Sequence, residues 1–335
     1  MRKGTLRLGL AVVAGVLCCA APRNTPVQLT NGPLDFDPPV ANTEGKKIFT
    51  IGVQPRCEVM RYDNKLGFVP YLGGISAIDL AFSPDRKWVA YVSVPERQLW
   101  RSRVDGSERL QLTFDPMTAA LPRWSPDGKR IVFMGATLKT GRRAYLISSN
   151  GTGLRELIAG ADAGFDPGWS PDGKSIVVSL NDATSQAGMA SRPGIVTVDV
   201  NTGKTTILPS ASQLFSPRWS PDGKYIAAIT RNSDKLMLFD RVSQKWQELV
   251  SMPIGYPSWS HDGGYIYFDT TLTEDANFFR VRISDRKVER LVSLKGFHRY
   301  WGDLGQWTGL APDDSPLLSR DTSSQEIYAL DWQLP

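Results

Sequence analysis

One short motif recurs along almost the whole chain and limits what the sequence can fold into. An apolar residue, usually Trp, precedes Ser-Pro-Asp-Gly-Lys, and a run of β-branched or aromatic residues follows. Clear copies are RWSPDGKRIVF (123–133), GWSPDGKSIVV (168–178), RWSPDGKYIAA (218–228), SWSHDGGYIYF (258–268) and AFSPDRKWVAYV (81–92). Two weaker copies, PVANTEGKKIFTI (39–51) and GLAPDDSPLLS (309–319), bring the number of units to seven. The acidic residues of successive copies lie 40 to 51 residues apart, which is typical of propeller blades.

Each unit contains the pattern of four short strands. The first strand ends at the Trp position, the Pro and Gly of the motif favour a tight turn, and the second strand follows. Further strands such as RAYLISS (143–149) and LRELI (154–158) complete a unit. The 30 Gly and 23 Pro residues argue against long helices. The sequence therefore predicts an all-β fold, a seven-bladed β-propeller of four-stranded antiparallel blades.

The two ends of the chain predict how the ring closes. The seventh unit supplies only three strands, at 307–310, 317–320 and 326–332. The segment PVQLTNGP (26–33) closely repeats RLQLTFDP (109–116), which is a fourth strand with its link to the next blade. We therefore expect an N-terminal strand, Val27 to Thr30, to pair with 326–332 and close the ring, so that 24–335 form one propeller domain.

The N-terminus has the pattern of an export signal. Residues 1–21 combine a basic start, a 14-residue apolar stretch from Leu8 to Ala21 and small residues at the end. We expect a signal peptide, a mature chain without a transmembrane helix, and a periplasmic or extracellular protein. A lipoprotein signal with a lipid-bearing Cys18 or Cys19 stays open as an alternative.

Beyond the leader, the composition excludes several classes of protein. Without residues 1–21 there are 36 basic and 34 acidic residues, interspersed along the chain, so we expect no nucleic-acid partner. Cys57 is the single cysteine after the leader and cannot form an intrachain disulfide. We expect a monomer without cofactors.

The WSPDGK turn followed by a strand resembles the repeats of TolB-type propellers, which are WD-like repeat proteins of the bacterial periplasm. LWRSRVDGSERLQLTFDP (99–116) and DTSSQEIYALDW (321–332) are more similar to the C-terminal extracytoplasmic propellers of bacterial membrane-spanning winged-helix regulators and protein kinases. The sequence contains no winged helix, kinase motif or hydrolase domain. The resemblance implies a binding propeller, and the count of seven units departs from the six blades of TolB.

Catalytic and metal-binding motifs are sparse. Gly168 to Ser175 satisfies the P-loop expression, but Pro171 removes a backbone donor and a strand follows where a helix is needed. The recurrent Asp is better explained as the cap of its own turn. The chain has two histidines, His261 in a repeat turn and His298 in a link, and no metal-binding spacing. We therefore predict no catalytic residue and no metal site.

A binding site is predicted at the mouth of the central channel, where the first strand of each blade begins. The position three residues before the Trp or its equivalent carries a mixture of acidic, hydroxyl and aromatic side chains that differs from the apolar residues deeper in the strands. The aligned residues are Pro38, Asp79, Leu121, Asp166, Ser216, Tyr256 and Trp307. The link GFHRYWGD (296–303) should lie on the same face and adds His298, Arg299, Tyr300 and Trp301, residue types common in binding hot spots.

These observations predict an exported, non-enzymatic β-propeller that binds a protein or a cell-envelope ligand. Two alternatives remain at this point. One is a propeller enzyme such as a lactonase or glycan hydrolase. The other is a ligand-sensing module related to the propellers of membrane regulators.

Overall fold

The computed structural model describes residues 34–158, 164–180, 194–270 and 275–331. Over these residues the chain forms seven sheets of four antiparallel strands. In these described ranges the helical content is one 3₁₀ turn, Leu72–Gly74. The predicted all-β class and the seven four-stranded sheets are confirmed.

The strands are short, and each described unit alternates strands with tight turns. In chain order the first fourteen are β1 (Asp35–Phe36), β2 (Val40–Ala41), β3 (Lys47–Gln54), β4 (Cys57–Asp63), β5 (Gly67–Pro70), β6 (Ala77–Phe82), β7 (Trp88–Ser93), β8 (Leu99–Arg103), β9 (Leu110–Gln111), β10 (Thr118–Trp124), β11 (Arg130–Thr137), β12 (Gly141–Ser148), β13 (Arg155–Glu156) and β14 (Phe165–Trp169). The others are β15 (Ser175–Ser179), β16 (Ile195–Asp199), β17 (Thr205–Ile207), β18 (Leu214–Trp219), β19 (Tyr225–Thr230), β20 (Lys235–Asp240), β21 (Lys245–Ser251), β22 (Gly255–Trp259), β23 (Tyr265–Asp269), β24 (Asn277–Arg282), β25 (Val288–Ser293), β26 (Thr308–Leu310), β27 (Pro316–Asp321) and β28 (Ser324–Asp331).

Five sheets consist of four consecutive strands, β6 to β9, β10 to β13, β14 to β17, β18 to β21 and β22 to β25. A sixth has the order β26-β27-β4-β5 and so combines both ends of the chain. The first strands of these six sheets contact one another in a closed cycle, from β6 through β10, β14, β18, β22 and β26 back to β6. The central channel therefore lies among these six strands.

The last repeat unit is divided between two sheets, which corrects the prediction that its three strands form one blade. Pro316–Asp321 pairs with Cys57–Asp63 inside the ring, whereas Ser324–Asp331 pairs with Lys47–Gln54 in the seventh sheet. The two antiparallel pairings follow one another directly, so one long ribbon runs from the ring into the seventh sheet. Pairing two N-terminal with two C-terminal strands covers edges that an incomplete blade would expose. The expected closing strand, Val27 to Thr30, lies outside the described residues.

The repeated turn is held by its own Ser and Asp. In the copy at 125–130, the Ser125 hydroxyl donates to Asp127, whose Oδ1 also accepts the Lys129 N–H at 3.0 Å. The same contacts recur at the Asp residues of the other turns, Asp85, Asp172, Asp222 and Asp262. These bonds support the interpretation of the recurrent Asp as a turn cap.

The recurrent Trp links neighbouring sheets. The indole N–H of Trp124 donates to the carbonyl of Ala81 at 2.9 Å, and Trp169 and Trp259 make the equivalent bonds to Arg123 and Arg218. Apolar residues fill the space between sheets, as where Val92 and Leu99 pack in one cluster with Ile131 and Phe133. Sheet-to-sheet packing thus fixes the positions of the first strands around the channel.

Candidate functional site

The predicted ring position has an unusual backbone conformation in five of the six first strands. Its residues have positive φ angles of 45° to 56°, in the left-handed region that non-glycine residues adopt at a cost. The pairing of first and second strands shifts register at the same point, which is the signature of a β-bulge. The five residues are Asp79, Leu121, Asp166, Ser216 and Tyr256. Leu121 is apolar and shares this geometry, so the bulge is a property of the repeat. The five positions differ from one another only in their side chains.

The two remaining members of the aligned set differ in position. Trp307 is buried at the start of β26, and a Cβ on Gly309 would lie 2.6 Å from its indole Cζ2, so the ring lies over that glycine. Pro38 is exposed in the seventh sheet, between β1 and β2, and does not join the channel. Six of the seven aligned positions therefore surround the channel.

Asp166 is the centre of a buried ion pair. Its Oδ2 accepts from the Ser216 hydroxyl at 2.6 Å and from Arg218 Nη2 at 2.7 Å. Asp166 and Arg218 are 2% and 7% exposed. The Oδ1 of Asp166 and the Nε of Arg218 have no hydrogen-bond partner among the described residues. Buried polar atoms normally have partners, so these atoms have unused capacity for a hydrogen bond with water or with a ligand group.

Arg123 faces the same carboxylate from the neighbouring first strand. Its Nη2 is 3.8 Å from Asp166 Oδ1, too far for a hydrogen bond, and its Nη1 donates to the carbonyl of Pro122 at 2.7 Å. Burial and the positive charge of Arg218 together lower the pKa of Arg123 to about 10, although the charges of Asp166 and Asp79 oppose this fall. The guanidinium stays charged at neutral pH, and the bond to the Pro122 carbonyl is its one hydrogen bond among the described residues.

Asp79 is a buried carboxylate on β6. Its Oδ2 accepts the Leu121 backbone N–H at 2.9 Å across the gap between two sheets. Burial raises the pKa of Asp79 to about 6, although the Leu121 N–H and the charge of Arg123 oppose this rise. A carboxyl that titrates near neutral pH can exchange a proton with a ligand.

A second buried ion pair joins the 296–303 link to the sheet of β22 to β25. Arg299, from the 296–303 link, contacts Asp269 at the end of β23, and both side chains are almost fully buried. Burial raises the pKa of Asp269 to about 6 against the lowering effect of Arg299. The Tyr256 hydroxyl donates to the carbonyl of Leu304 at 2.8 Å. Burial and the charges of Asp79, Asp269 and Asp166 raise the pKa of Tyr256 well above its ordinary value.

The 296–303 link lies beside β27, the second strand of the β26-β27-β4-β5 sheet. Tyr300 N–H donates to the Ser319 carbonyl at 2.8 Å, and the His298 carbonyl accepts from Asp321 N–H at 2.8 Å. The Trp301 side chain is 55% exposed and His298 is also exposed. The structure thus separates the predicted link residues: Arg299 belongs to the channel, whereas Trp301 and His298 are accessible from outside.

We define the mouth cluster as the charged and tyrosine side chains that interact around the channel, Asp79, Arg123, Asp166, Arg218, Tyr256, Asp269 and Arg299. Three of them were missed in the sequence analysis. Arg123 and Arg218 directly precede the Trp of their repeats, where other copies have Ala81, Gly168 or Ser258. Asp269 ends a second strand at a position where the clear copies have Val92, Met134, Ser179 and Ile229 and the weak last copy has Arg320. Comparing these columns across the repeats would have found all three.

Other candidate groups lie away from the channel. His261 Nδ1 is 2.5 Å from Asp314 Oδ1, at the turn end of the sheets. Cys57 is buried, and burial raises the pKa of its thiol to about 12. Among the described residues there is no group of three His, Cys, Asp or Glu arranged to hold a metal ion. The same residues contain no helix long and apolar enough to cross a membrane.

Comparison with known proteins identifies the family. The family model of the TolB beta propeller domain matches residues 75–304. The chain belongs to the TolB-type β-propeller family. No curated protein matches the sequence.

Solved structures show the same fold. The propeller is similar to TolB from Agrobacterium tumefaciens, with a TM-score of 0.61 and 20% identity over 80% of this chain and 98% of that one. TolB from Acinetobacter baumannii has a TM-score of 0.56 and 21% identity, over 72% of this chain and 65% of that one. An oligogalacturonate lyase in complex with manganese has a TM-score of 0.56 and 12% identity, over 86% and 96%. At these identities the likeness concerns the fold.

Proposed function

We propose that this TolB-type propeller is an exported, non-enzymatic scaffold that binds a protein or cell-envelope ligand at the mouth of its channel. The observation that carries the proposal is the mouth cluster. It places three carboxylates and three guanidinium groups around one channel. Isolated charges are costly to bury, so such a group is maintained where it has a use or is fully paired.

The pairing in the cluster is incomplete. Asp166 Oδ1, Arg218 Nε and Asp269 Oδ1 are buried without a hydrogen-bond partner among the described residues. A ligand with both donors and acceptors would satisfy these atoms. Binding pockets are typically concave and contain a small number of polar groups that converge on the ligand.

The exposed side chains of the 296–303 link support a macromolecular ligand. Trp301 is 55% exposed. Asp303, in the same link, accepts a hydrogen bond at Oδ2 from Nη1 of Arg97, which lies outside the link, at 2.5 Å. Trp is enriched among the residues that contribute most to protein interfaces. A partner that enters the channel could therefore also contact Trp301.

Export is supported by the leader at 1–21, which lies outside the described residues. A cleaved signal would leave a periplasmic or extracellular protein, and lipidation at Cys18 or Cys19 would anchor it to a membrane.

One observation favours an enzyme as the second candidate. The raised pKa values of Asp79 and Asp269, both about 6, are those expected of acid or base catalysts near neutral pH. This candidate predicts turnover of the captured ligand, whereas a scaffold predicts a stable complex.

Affinity capture from native envelopes tests the proposal. The bait is the tagged protein, and the informative variants are Trp301→Ala and His298→Ala, because these exposed side chains can be removed without opening the core. Ile207→Ala, exposed on β17, is the matched control. We expect the partner to be lost from the Trp301 variant and retained by the control; equal capture by all three variants would refute a partner contact at the 296–303 link beside the mouth.

A further inference from the structure

Arg123 has donors that no other described residue of the chain accepts. A guanidinium carries five N–H donors, and within the described residues Arg123 makes one hydrogen bond, from Nη1 to the Pro122 carbonyl. The nearest carboxylate oxygen, Asp166 Oδ1, is 3.8 Å from Nη2. The Arg123 side chain is 24% exposed, compared with 8% for Arg218, which is bound to the same Asp166. Arg123 is therefore the guanidinium of the cluster that a ligand can reach.

Asp166 Oδ1 offers the complementary acceptor. Oδ2 of the same carboxylate is occupied by Ser216 and Arg218, so the carboxylate is fixed in place. Oδ1 is buried and has no donor among the described residues. An unused donor and an unused acceptor thus face one another across 3.8 Å.

The position of this pair shows that it lies in the channel. The charge of Arg123 interacts with Asp79, Asp166, Arg218 and Tyr256, which lie on four other first strands. A side chain can approach so many first strands only near the axis of the ring.

The geometry points to a peptide C-terminus as the ligand. A carboxylate binds a guanidinium through two parallel hydrogen bonds, and in a terminal residue the amide N–H lies about 3 Å from a carboxylate oxygen. We propose that Arg123 binds the C-terminal carboxylate of a peptide and that Asp166 Oδ1 accepts its last amide N–H. This inference rests on the proposed function and names the chemistry of its ligand.

The first test uses unmodified protein and small probes. N-acetyl-alanyl-alanine has the carboxylate and the amide N–H, and its C-terminal amide differs only at the carboxylate. In ligand-observed NMR titrations we expect the acid to bind at least ten times more tightly than the amide. Equal binding of the two, no binding of the acid, or binding of galacturonate alone would overturn the proposal.

The second test uses substitutions at the guanidinium. Arg123→Gln should weaken binding of the acid about ten- to hundredfold, the range expected for a charge-assisted pair. Arg123→Lys keeps the charge but not the two parallel bonds, so its loss should be smaller. Arg290→Gln, exposed on β25, is the matched control and should bind like the wild type. Near-UV circular dichroism of each variant verifies the fold, and full binding by folded Arg123→Gln would overturn the proposal.

The outcomes separate this inference from the proposed function. If the envelope partner is captured by Arg123→Gln and lost only from the Trp301 variant, the mouth site stands and carboxylate recognition is wrong. If capture is unchanged in both variants, the mouth site itself is wrong.

Discussion

The burial of Asp79 predicts how the stability of the protein changes with pH. The substitution Asp79→Asn mimics the protonated carboxyl and keeps an oxygen that can accept the Leu121 N–H. The side chain is 2% exposed, and its carboxylate faces the charges of Arg123, Asp166 and Asp303. Folding raises its pKa from 3.8 to about 6, so the native state binds the proton more tightly than the unfolded state. The protein should therefore lose stability as the pH rises from about 4 to about 6.

The size of this loss follows from the pKa change. A rise from 3.8 to about 6 corresponds to about 3 kcal/mol in the free energy of unfolding, an upper limit for this group. About 2 kcal/mol of it falls between roughly pH 4.5 and 7.5. Asn does not titrate, so stability of the variant relative to the wild type should increase by about that amount over the same range.

Urea unfolding followed by Trp fluorescence measures the difference at each pH. Asp85→Asn is the matched control, because the Ser83 hydroxyl holds the pKa of the Asp85 carboxyl below its ordinary value. The contribution of such a group changes only below about pH 4, so the difference in stability between Asp85→Asn and the wild type should stay nearly constant from pH 4.5 to 7.5. If the Asp79→Asn and wild-type stabilities run parallel from pH 4.5 to 7.5, Asp79 is not a buried ionisable group of the kind described.

Four further predictions concern the ring, one of its turns and the leader. Trp124→Phe should cost about 1 kcal/mol more than Trp219→Phe in urea unfolding, because the Trp124 indole N–H has an acceptor and that of Trp219 has none among the described residues. Arg86 has a φ of 59° where most other turns have glycine, so Arg86→Gly should raise the melting temperature through a gain of up to about 1 kcal/mol; a lower value would contradict strain in this turn. Deleting 24–31 should sharply lower the melting temperature if this segment pairs with β28, and unchanged melting would remove the closure hypothesis. Mass spectrometry of the envelope protein should find 1–21 removed, and an intact N-terminus in the cytosol would contradict export.

The fold could be predicted from the sequence because each repeat contains its own strands and turn. Ser125, Asp127 and the glycine of that turn lie within four residues, so the local pattern determines the local structure. The pairing of β28 with β3 was not predictable in this way, since its partners are more than 250 residues apart. The three-strand pattern of the last unit looked like a blade, but it does not specify which edge each strand joins.

The mouth site was partly predictable for the same reason. Asp79 and Asp166 were found because the repeat alignment places them at the start of the first strands. Their partners were not, because the pairing of Asp166 with Arg218 joins two neighbouring sheets and depends on how the sheets pack. Arg299 was assigned to a link on the face of the channel mouth, and its burial against Asp269 follows from the path of that link beside β27.

Crosslinking at Trp301 tests the central claim, that a ligand binds at the mouth. A photoreactive benzoylphenylalanine replaces Trp301 in one variant and Ile207 in another, and both are irradiated in native envelopes. We predict a crosslinked partner from position 301 and none from position 207, with the yield at 301 reduced by Asp166→Asn. No crosslink at 301, or the same crosslink from both positions, would contradict a binding site at the channel mouth.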